Sequence, residues 1–504
     1  MTSQQETGPN TFLRGTAAVS RALGSTWLFW VIVAAFIASA LAIALTAKPQ
    51  LLYDEYYHFG IIGVYSKQLS PFITHQTAAT APLGDLTRMG SFLYHYLLSF
   101  PERLAVHAGA SLETQFRLLR TITVLMAGAS LYWFRRCLTD TGVPSAVANT
   151  AIAVYVALPI TSFLGATINY DNLLLLLAAM HLSLGVRIYT DRRRSMTFYV
   201  MFLATGVLAS LTKFEFIPAF IATFVILAVR FVLVRRSQPL ERGLPLLPAR
   251  RPAPIAALVG AAALLVAGIY AVAARYVLNA LTYGTPQPDC GDLHAVAFCL
   301  KYGPWERNYE LGLSHPVATP LNPKVIGQYL PQWITNMLST IHTDGVQTHV
   351  YGGPAAFSSM LSYAVPVAIV ILAIGLGFVL RRPGFQFLTI AAAFYLAVLF
   401  HAELSYYLRY GQANIISARY VMFFVPIFLG AVGLALSVIV RRLYPVAGSA
   451  VNVGIFLLLA VLSLDGGWFT TFMVGANPDW FDPTSPFAPL LTPLRFFSSH
   501  VIVQ

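Results

Sequence analysis

The sequence predicts an all-α membrane protein, a polytopic helical bundle of about eleven transmembrane helices, on the strength of three observations. Only 10% of the 504 residues are charged, whereas a soluble protein carries about a quarter. Hydrophobic residues make up 57% of the chain, and its mean hydropathy is +0.67. Apolar runs of about twenty residues recur along the sequence, and each is long enough to cross a hydrocarbon layer of roughly 30 Å.

The apolar runs place the predicted spans along the chain. The first run, Ser25 to Ala47, exceeds the roughly 7–15 residues of a signal-peptide core, so we interpret it as an uncleaved span. Residues 88–107 mix aromatic side chains with scattered charge, which is typical of short helices that lie in the membrane interface. The predicted spans are 26–47, 117–135, 146–168, 171–190, 196–212, 216–234, 254–274, 357–380, 385–402, 419–440 and 446–464.

The distribution of charge predicts the orientation in a plasma membrane. If the spans alternate, 18 of the 32 basic residues but only 4 of the 20 acidic ones lie on one side. Because positively charged loops stay in the cytoplasm, the N-terminus is expected inside and the C-terminus outside. The net charge of +12 is therefore interpreted as topology, and no nucleic-acid partner is expected.

This topology also sets the predicted organisation of the chain. A cytoplasmic tail (1–25) precedes a transmembrane core (26–440), and a last span with an extracytoplasmic tail follows (441–504). The core carries two large outer segments, 48–116 and 283–356. The second contains Cys290 and Cys299. In an oxidising outer compartment these cysteines could form a disulfide or remain two free thiols.

Two adjacent carboxylates follow the first span in the stretch L51-L-Y-D-E-Y-Y-H-F-G60. Asp54 and Glu55 lie close to the membrane face, where a carboxylate could take a proton from an alcohol as a general base. On a helix, neighbouring side chains point about 100° apart, so the two acids are not expected to share one task. His58 lies one turn further and could hydrogen-bond either acid. The alternative is an interfacial acid pair that caps a helix.

Three further polar groups lie at the ends of predicted spans. Asp171 occupies a short hairpin, and it could instead cap the following helix. Lys213 is an ionisable residue in a long apolar stretch, where such residues are often functional; it could bind a phosphate, pair with Glu215 or snorkel to the interface. Arg419 and Tyr420 open the tenth span. Arginine suits bidentate phosphate binding, and the alternative is an interfacial anchor.

Several well-known catalytic motifs are absent from the sequence. It contains no G-x-x-x-x-G-K-[ST] loop, no G-x-S-x-G, no H-E-x-x-H and no Cys/His cluster with zinc spacing. A nucleotide-driven machine is therefore not indicated. The sequence also lacks a D-x-D run, so neither a metal nor another cofactor is expected.

Six short motifs occur in a fixed order over most of residues 26–440. They are Y53-D-E-Y-Y-H58, A81-P-L-G-D-L-T-R-M-G-S-F-L-Y-H-Y-L-L98, R117-L-L-R120, N169-Y-D171, L211-T-K213 and S417-A-R-Y420. Their order and spacing resemble the GT-C superfamily of membrane glycosyltransferases. Ala418 stands where some bacterial members have glycine, and Tyr56-Tyr57 replace the usual Pro or Ala after the acid.

The resemblance implies transfer of a hexosyl or pentosyl group, with inversion, from a polyprenyl-phosphate carrier to a hydroxyl acceptor in the cell envelope. The acceptor could be a lipid, a glycan or a protein, and the reaction would take place on the extracytoplasmic face of the bilayer. Asp54 or Glu55 would act as the base, and Lys213 and Arg419 would hold the carrier phosphate. The candidate substrate-binding residues are His58, Asp171, Lys213, Arg419 and Tyr420.

Other classes of function remain open on the sequence. A transporter or flippase of a lipid-linked or amphipathic substrate would carry charges near the middle of its spans, and His181 is the main ionisable residue placed there. A surface-polysaccharide polymerase or ligase would share the outer site but act on diphosphate-linked chains. In a non-catalytic scaffold the two acids would be dispensable.

Overall fold

The fold is all-α in the part of the chain that the structure describes, which confirms the predicted fold class. The computed structural model describes residues 18–49, 54–190, 196–237, 252–342, 359–412, 417–443, 454 and 482–490. No β-strand occurs in these ranges. Most of the predicted span 446–464 and most of the two tails lie outside the described residues.

Eighteen α-helices follow one another along the described part of the chain. The first nine are α1 (Thr26–Thr46), α2 (Glu55–Tyr65), α3 (Leu93–His107), α4 (Leu112–Asp140), α5 (Ser145–Ala157), α6 (Pro159–Ala166), α7 (Asp171–Thr190), α8 (Met196–Thr212) and α9 (Ile217–Ser237). They continue with α10 (Pro252–Val272), α11 (Leu278–Tyr283), α12 (Cys290–Leu293), α13 (Val296–Cys299), α14 (Gly303–Ser314), α15 (Pro323–His342), α16 (Ser359–Val379), α17 (Pro383–Tyr410) and α18 (Val425–Leu443). Short 3₁₀ turns lie at Ala78–Leu83, Phe214–Phe216, Ala418–Val421 and Ala488–Leu490, and a π-helical turn lies at Ala273–Val277.

Every predicted span before residue 446 falls on a helix. By length and composition, six described helices could cross a membrane. A seventh results if α5 and α6, which meet at an angle of 69°, form one bent span. The bend has a local cause, because Pro159 disfavours helical backbone at Leu158 and then begins a new helix itself. The number falls below eleven because α8 and the apolar part of α16 are short, because α4 does not meet the same test, and because the predicted span 446–464 lies almost entirely outside the described residues.

Two charged layers lie at opposite ends of the bundle. At one end, Arg187 of α7 donates to Asp140 of α4, with Nε 2.5 Å from Oδ2. At the other end, the same two helices carry Asp171 and Arg120. At 1.5 Å per residue, the segment of α4 from Arg120 to Asp140 is about 30 Å long, which matches the thickness of a hydrocarbon layer. We call the end that holds Arg120 and Asp171 the site end.

Helices α2 and α3 form a layer at the site end. Leu97, Phe100 and Leu104 are exposed on α3, and their spacing of three and four residues places them on one face. The opposite face buries His95 and Leu98. An exposed apolar face of this kind is typical of a helix that lies in the membrane interface, as the sequence predicts for this segment.

A short C-terminal segment, residues 482–490, packs against the end of α1. The backbone N–H of Asp482 donates to the carbonyl of Thr46 at 2.8 Å, and the Ser485 hydroxyl donates to the carbonyl of Leu45 at 2.8 Å. Arg117 of α4 pairs with Asp482 at 3.5 Å. Because the last carbonyls of a helix lack partners within it, these contacts complete α1 at the site end.

The second outer segment is held by a disulfide between Cys290 and Cys299, with an S–S distance of 2.00 Å. The sequence allowed either a disulfide or two free thiols, and in the structure the two cysteines form the disulfide. The same segment contacts the first outer segment, since Nε2 of His294 lies 2.8 Å from Oδ1 of Asp85. The two segments that the sequence predicts to lie outside therefore contact each other.

Candidate functional site

Asp54 lies immediately before α2 in an unusual backbone conformation. Its φ of 62° is the only positive value among the non-glycine residues that the structure describes. Aspartate tolerates the left-handed region better than most residues, at a cost of about 1–2 kcal/mol. Its side chain is 51% exposed, and Oδ2 lies 3.5 Å from Nη1 of Arg419. Such strain is most often retained at functional sites.

Glu55 points the opposite way, into the bundle. Its side chain is fully buried and forms a two-point ion pair with Arg120, with Nε to Oε1 at 2.8 Å and Nη2 to Oε2 at 2.6 Å. Oε1 also accepts from the backbone N–H of Ile168 at 2.9 Å. The carboxylate thus joins α2 to α4 and to the hairpin that precedes α7.

Arg120 completes this arrangement. Its remaining N–H groups donate to the carbonyls of Ala47 and Lys48, both at 2.8 Å, and to that of Ala44 at 3.4 Å. A guanidinium has five N–H donors, and all of them are used. The two acids therefore have different environments, as their angular separation on a helix predicts. Glu55 fixes the chain around Asp54, while Asp54 itself stays open to solvent.

Lys213 and Asp171 form a second buried ion pair, with Nζ 2.6 Å from Oδ1. The rings of Tyr170 and Tyr420 lie 4.7 and 4.4 Å from Nζ, within the range of a cation–π contact. Lys213 therefore neither pairs with Glu215 nor extends to the membrane interface, which were two of the alternatives for this residue. The lysine lies in a buried pocket of one carboxylate and two aromatic rings.

The hairpin before α7 leaves the Asp171 carboxylate available for this pair. Oδ1 of Asn169 accepts from the backbone N–H of Asp171 at 2.8 Å, so Asn169 supplies the helix cap. Nδ2 of Asn172 donates to the carbonyls of Leu164 and Thr167 at 2.9 and 3.1 Å. These bonds fix the hairpin without using the side chain of Asp171.

Arg419 and Tyr420 connect the two ion pairs. The 3₁₀ turn that carries them is fixed by Ala418, whose backbone N–H donates to Oγ1 of Thr340 at 2.8 Å. The guanidinium of Arg419 lies 5.5 Å from the ring of Tyr420, and that ring also contacts Lys213. Nε of Arg419 is buried and has no hydrogen-bond partner among the described residues. Buried unpaired donors are rare, so this N–H is available to a ligand.

His58 has a different partner from the two acids next to it. Its Nδ1 lies 2.9 Å from Nε2 of His95, and the two rings stack. Among the described residues, neither Asp54 nor Glu55 hydrogen-bonds its ring. Burial lowers the pKa of His58 well below its usual value, and His95, Arg419 and Lys213 lower it further. Burial lowers the pKa of His95 to about 3, so both imidazoles are neutral at neutral pH.

Three residues of the site had no assigned role in the sequence analysis. Tyr170 contacts Lys213 and stands edge-on to His58, with ring centroids 4.6 Å apart. His95 pairs with His58, and Arg120 pairs with Glu55. All three occur within the six motifs, but their partners are distant in sequence. Of the three, only Tyr170 could have been identified from its position in the sequence, because it is adjacent to Asp171.

Two cavities lie at the site end. One, of about 470 Å³, is lined almost entirely by apolar side chains, including Val207, Phe214 and Leu281, and it lies beside Lys213 in the chain. The other, of about 930 Å³, lies between α2 and α3 and has Gly63 and Glu102 in its lining. Within the described ranges, no group of three or more His, Cys, Asp or Glu side chains could hold a metal ion.

Comparisons with known proteins give only distant likenesses. No protein-family model matches the chain, and no curated protein matches it. One similar solved structure is the archaeal oligosaccharyltransferase AglB from Archaeoglobus fulgidus in complex with an inhibitory peptide and a dolichol-phosphate. It has 15% identity and a TM-score of 0.39, and the match covers 90% of this chain and 58% of that one. The chain therefore spans little more than half the length of AglB.

The second similar structure is ArnT from Cupriavidus metallidurans in the apo state, with 16% identity and a TM-score of 0.29. That match covers 84% of this chain and 80% of ArnT. Both proteins are membrane glycosyltransferases of the GT-C superfamily, which the sequence motifs resemble. Because both TM-scores are below 0.5, neither likeness assigns a function to this chain.

Proposed function

We propose that this protein is a GT-C-type membrane glycosyltransferase that moves a sugar from a polyprenyl-phosphate carrier to a hydroxyl acceptor, with inversion, on the extracytoplasmic face. One observation carries the proposal. An open carboxylate, Asp54, lies 3.5 Å from the guanidinium of Arg419, and the ring of Tyr420 joins that guanidinium to the buried ammonium of Lys213. The reaction requires this combination, because a hydroxyl must lose a proton while a phosphate departs.

Asp54 is the proposed general base. Both oxygens of Glu55 are held by Arg120, and a carboxylate so bound would have to break a buried ion pair to accept a proton. Asp54 has a single long contact with Arg419 and is half exposed, so an incoming hydroxyl can reach it. Its position next to the fixed Glu55 limits its movement, which favours proton transfer over a defined distance.

Lys213 and Arg419 are proposed to stabilise the carrier phosphate. An ammonium has three donors, and Lys213 uses one on Asp171, with no other hydrogen-bond partner among the described residues. Arg419 contributes its unpaired Nε. Cations held in a buried site stabilise developing negative charge more effectively than they would in water. Asp171 would keep Lys213 in place and balance its charge when the phosphate is absent.

The surroundings are consistent with a lipid-linked donor. Phe214, the residue after Lys213, lines the apolar 470 Å³ cavity together with Ile217, Val272 and Leu281. A prenyl chain would have its phosphate near Lys213 and its hydrocarbon in this cavity. The site end also lies opposite the end that carries Arg136, Arg187 and Arg382, and under the positive-inside rule this arrangement supports the extracytoplasmic face for the site.

The proposal is tested by assaying sugar transfer in membranes that contain the protein. Radiolabelled polyprenyl-phosphate hexoses and pentoses are supplied, and lipid, glycan and protein fractions are analysed for label. We expect transfer from at least one donor and its loss in Lys213→Met. Lys324→Met is the matched control, because Lys324 is exposed and far along the chain from the site. A chain that transfers no sugar from any donor would contradict the proposal.

The transporter alternative is separated by reconstitution. Purified protein in sealed liposomes is supplied with the labelled donor in the outer leaflet, and movement to the inner leaflet is followed with an impermeant quencher or enzyme. Translocation without covalent transfer would favour a flippase. Transfer without translocation is the result that the proposed function predicts.

A further inference from the structure

A cavity at the site end, lined by both polar and apolar side chains, is not used by the proposed chemistry. It occupies about 930 Å³ between α2, α3 and the 3₁₀ turn Ala78–Leu83. Gly63 forms part of its floor, and a Cβ built there would meet nothing within 4 Å. The floor therefore opens directly into the cavity, and a side chain at this position would project into the space.

Glu102 of α3 lines the cavity and lacks a partner. The residue is only 2% exposed, and its Oε2 has no hydrogen-bond partner within the described part of the chain. Burial raises the pKa of its carboxyl. A buried polar atom without a partner is costly, and its presence in a cavity wall indicates a ligand that supplies the missing hydrogen bond.

Three basic residues, Lys67, Arg103 and His107, line the cavity, and within the described part of the chain none of them pairs with Glu102. Arg103 donates through Nε to the carbonyl of Ser66 at 2.7 Å and through Nη2 to that of Tyr65 at 3.3 Å, so it caps the end of α2. Nδ1 of His107 lies 2.7 Å from the carbonyl of Arg103. The carboxyl of Glu102 is therefore the unpaired hydrogen-bonding group inside the cavity.

One face of α2 leads from this cavity to Asp54. Tyr56, Gly60 and Gly63 are spaced by four and three residues, so they form one stripe along α2, and Lys67 follows two residues after the helix ends. Tyr56 and Lys67 are exposed. At 1.5 Å per residue, Gly63 lies about 14 Å along the helix axis from Asp54.

We propose that this cavity binds the saccharide portion of the acceptor, which rests on the proposed function, and that Glu102 and Tyr56 are its recognition residues. Glu102 would hydrogen-bond sugar hydroxyls within the cavity. The ring of Tyr56, which is 54% exposed, offers a flat apolar surface for a sugar ring on the way to Asp54. A hydroxyl at the far end of the glycan would reach the carboxylate of Asp54.

The chemistry of the lining suits a hydroxyl-rich ligand. Glu102 can bind sugar hydroxyls, Ser66, Gln68 and Thr80 add further polar groups, and Lys67, Arg103 and His107 add hydrogen-bond donors. A carboxyl accepts hydrogen bonds from hydroxyls when ionised, and both donates and accepts when protonated. It can therefore serve a glycan in either state.

Occupancy of the cavity is measured without any donor sugar. In Gly63→Cys the new thiol faces the cavity, whereas Cys137 is buried and Cys290 is bonded to Cys299. The alkylation rate by a maleimide is recorded in the full-length protein in detergent. The probe is a neutral oligosaccharide pool released by mild acid from the envelope of the source cell, and mannitol at equal hydroxyl concentration is the control.

We expect the pool to slow alkylation about threefold when its concentration is about twice the dissociation constant. Adding Glu102→Leu to Gly63→Cys should abolish this protection, while adding Glu102→Gln should retain most of it. Continued lack of labelling at Cys137 verifies that each variant is folded. Protection no greater than that of mannitol, or equal protection with Glu102→Leu, would overturn the proposal.

Transfer kinetics supply an independent readout. Gly63→Phe and Glu102→Leu should each raise the KM for the acceptor about tenfold and leave the KM for the polyprenyl-phosphate donor unchanged. Because the labelling assay needs no catalysis, failure of the acceptor site can be distinguished from failure of the proposed glycosyltransferase function. If protection fails while Lys213→Met still abolishes transfer, only the acceptor site is wrong.

Discussion

Replacement of Glu55 by glutamine tests the separation of roles between the two neighbouring acids. Glu55→Gln keeps the shape of the side chain but removes the charge that neutralises Arg120, and both side chains are fully buried. Removing one partner of a buried ion pair costs about 3–5 kcal/mol, because the other charge is left uncompensated. Asp54→Asn changes a half-exposed side chain, and asparagine also tolerates positive φ, so we expect a change within about 0.5 kcal/mol.

Stability can be followed through a natural reporter in the chain. Cys137 is a buried free thiol on α4, and the only other cysteines, Cys290 and Cys299, are bonded to each other. A maleimide fluorophore therefore reports unfolding as Cys137 becomes accessible during heating or titration with denaturant. Glu55→Gln should unfold at a clearly lower temperature or denaturant concentration than the wild type. Asp54→Asn should unfold at the same temperature or concentration as the wild type.

A double replacement supplies the control for nonspecific damage. Glu55→Leu together with Arg120→Met removes both charges, and apolar replacement of a whole buried pair is often neutral or stabilising. The double variant should therefore be more stable than either single variant. If Glu55→Gln unfolds with the wild type yet abolishes transfer, Glu55 acts in the chemistry and the separation of roles is wrong.

Three further predictions concern the groups around this pair. Lys213→Met should lower transfer about 10²–10³-fold, the usual loss when one donor to a developing negative charge is removed, with Lys324→Met unchanged in the same radiolabel assay. Tyr420→Phe should keep transfer and Tyr420→Leu should lower it, because a phenyl ring retains the cation–π contact with Lys213 that a leucine lacks. The folded pKa values of His58 and His95 lie below the unfolded value near 6.5. The contribution of the two neutral rings to the free energy of unfolding is therefore complete above that pH and is lost as the pH falls. Between pH 6.5 and 5, thermal scans by tryptophan fluorescence should show a loss of up to about 1.4 kcal/mol per pH unit for each histidine, and His95→Gln should show a shallower slope.

The helices and the candidate ligand groups could be predicted from the sequence because each depends on local information. Apolar runs of about twenty residues define the spans, and charges at their ends stand out against an apolar background. Asp54, Asp171, Lys213 and Arg419 were all identified on this basis. The structure brings them together as two ion pairs that share Tyr420.

The pairing of these groups could not be predicted, because it depends on how distant helices meet. A spacing of four residues suggests that His58 contacts Asp54, but the ring of His58 instead meets His95 on α3. The proximity of Lys213 and Glu215 in sequence suggests a local pair, whereas the partner is Asp171 on α7. Helical spacing gives the direction of a side chain and carries no information about the element it faces.

The unpaired carboxyl of Glu102 illustrates the same limit. Sequence analysis places it in an interfacial helix among aromatic residues, where an exposed, solvated acid is the ordinary expectation. In the structure it is buried in a cavity wall, because Gly63 of α2 leaves open space against α3. A small residue on one helix thus affects the environment of an acid on another.

The rate of sugar transfer by Asp54→Asn, with Glu310→Gln as an exposed control, tests the central claim most directly. A general base contributes about 10²–10⁴-fold to a rate, so we predict a loss of that size with donor binding within about twofold of the wild type. Unchanged labelling of Cys137 would show that the fold is intact. An Asp54→Asn protein that transfers sugar at the wild-type rate would contradict the account.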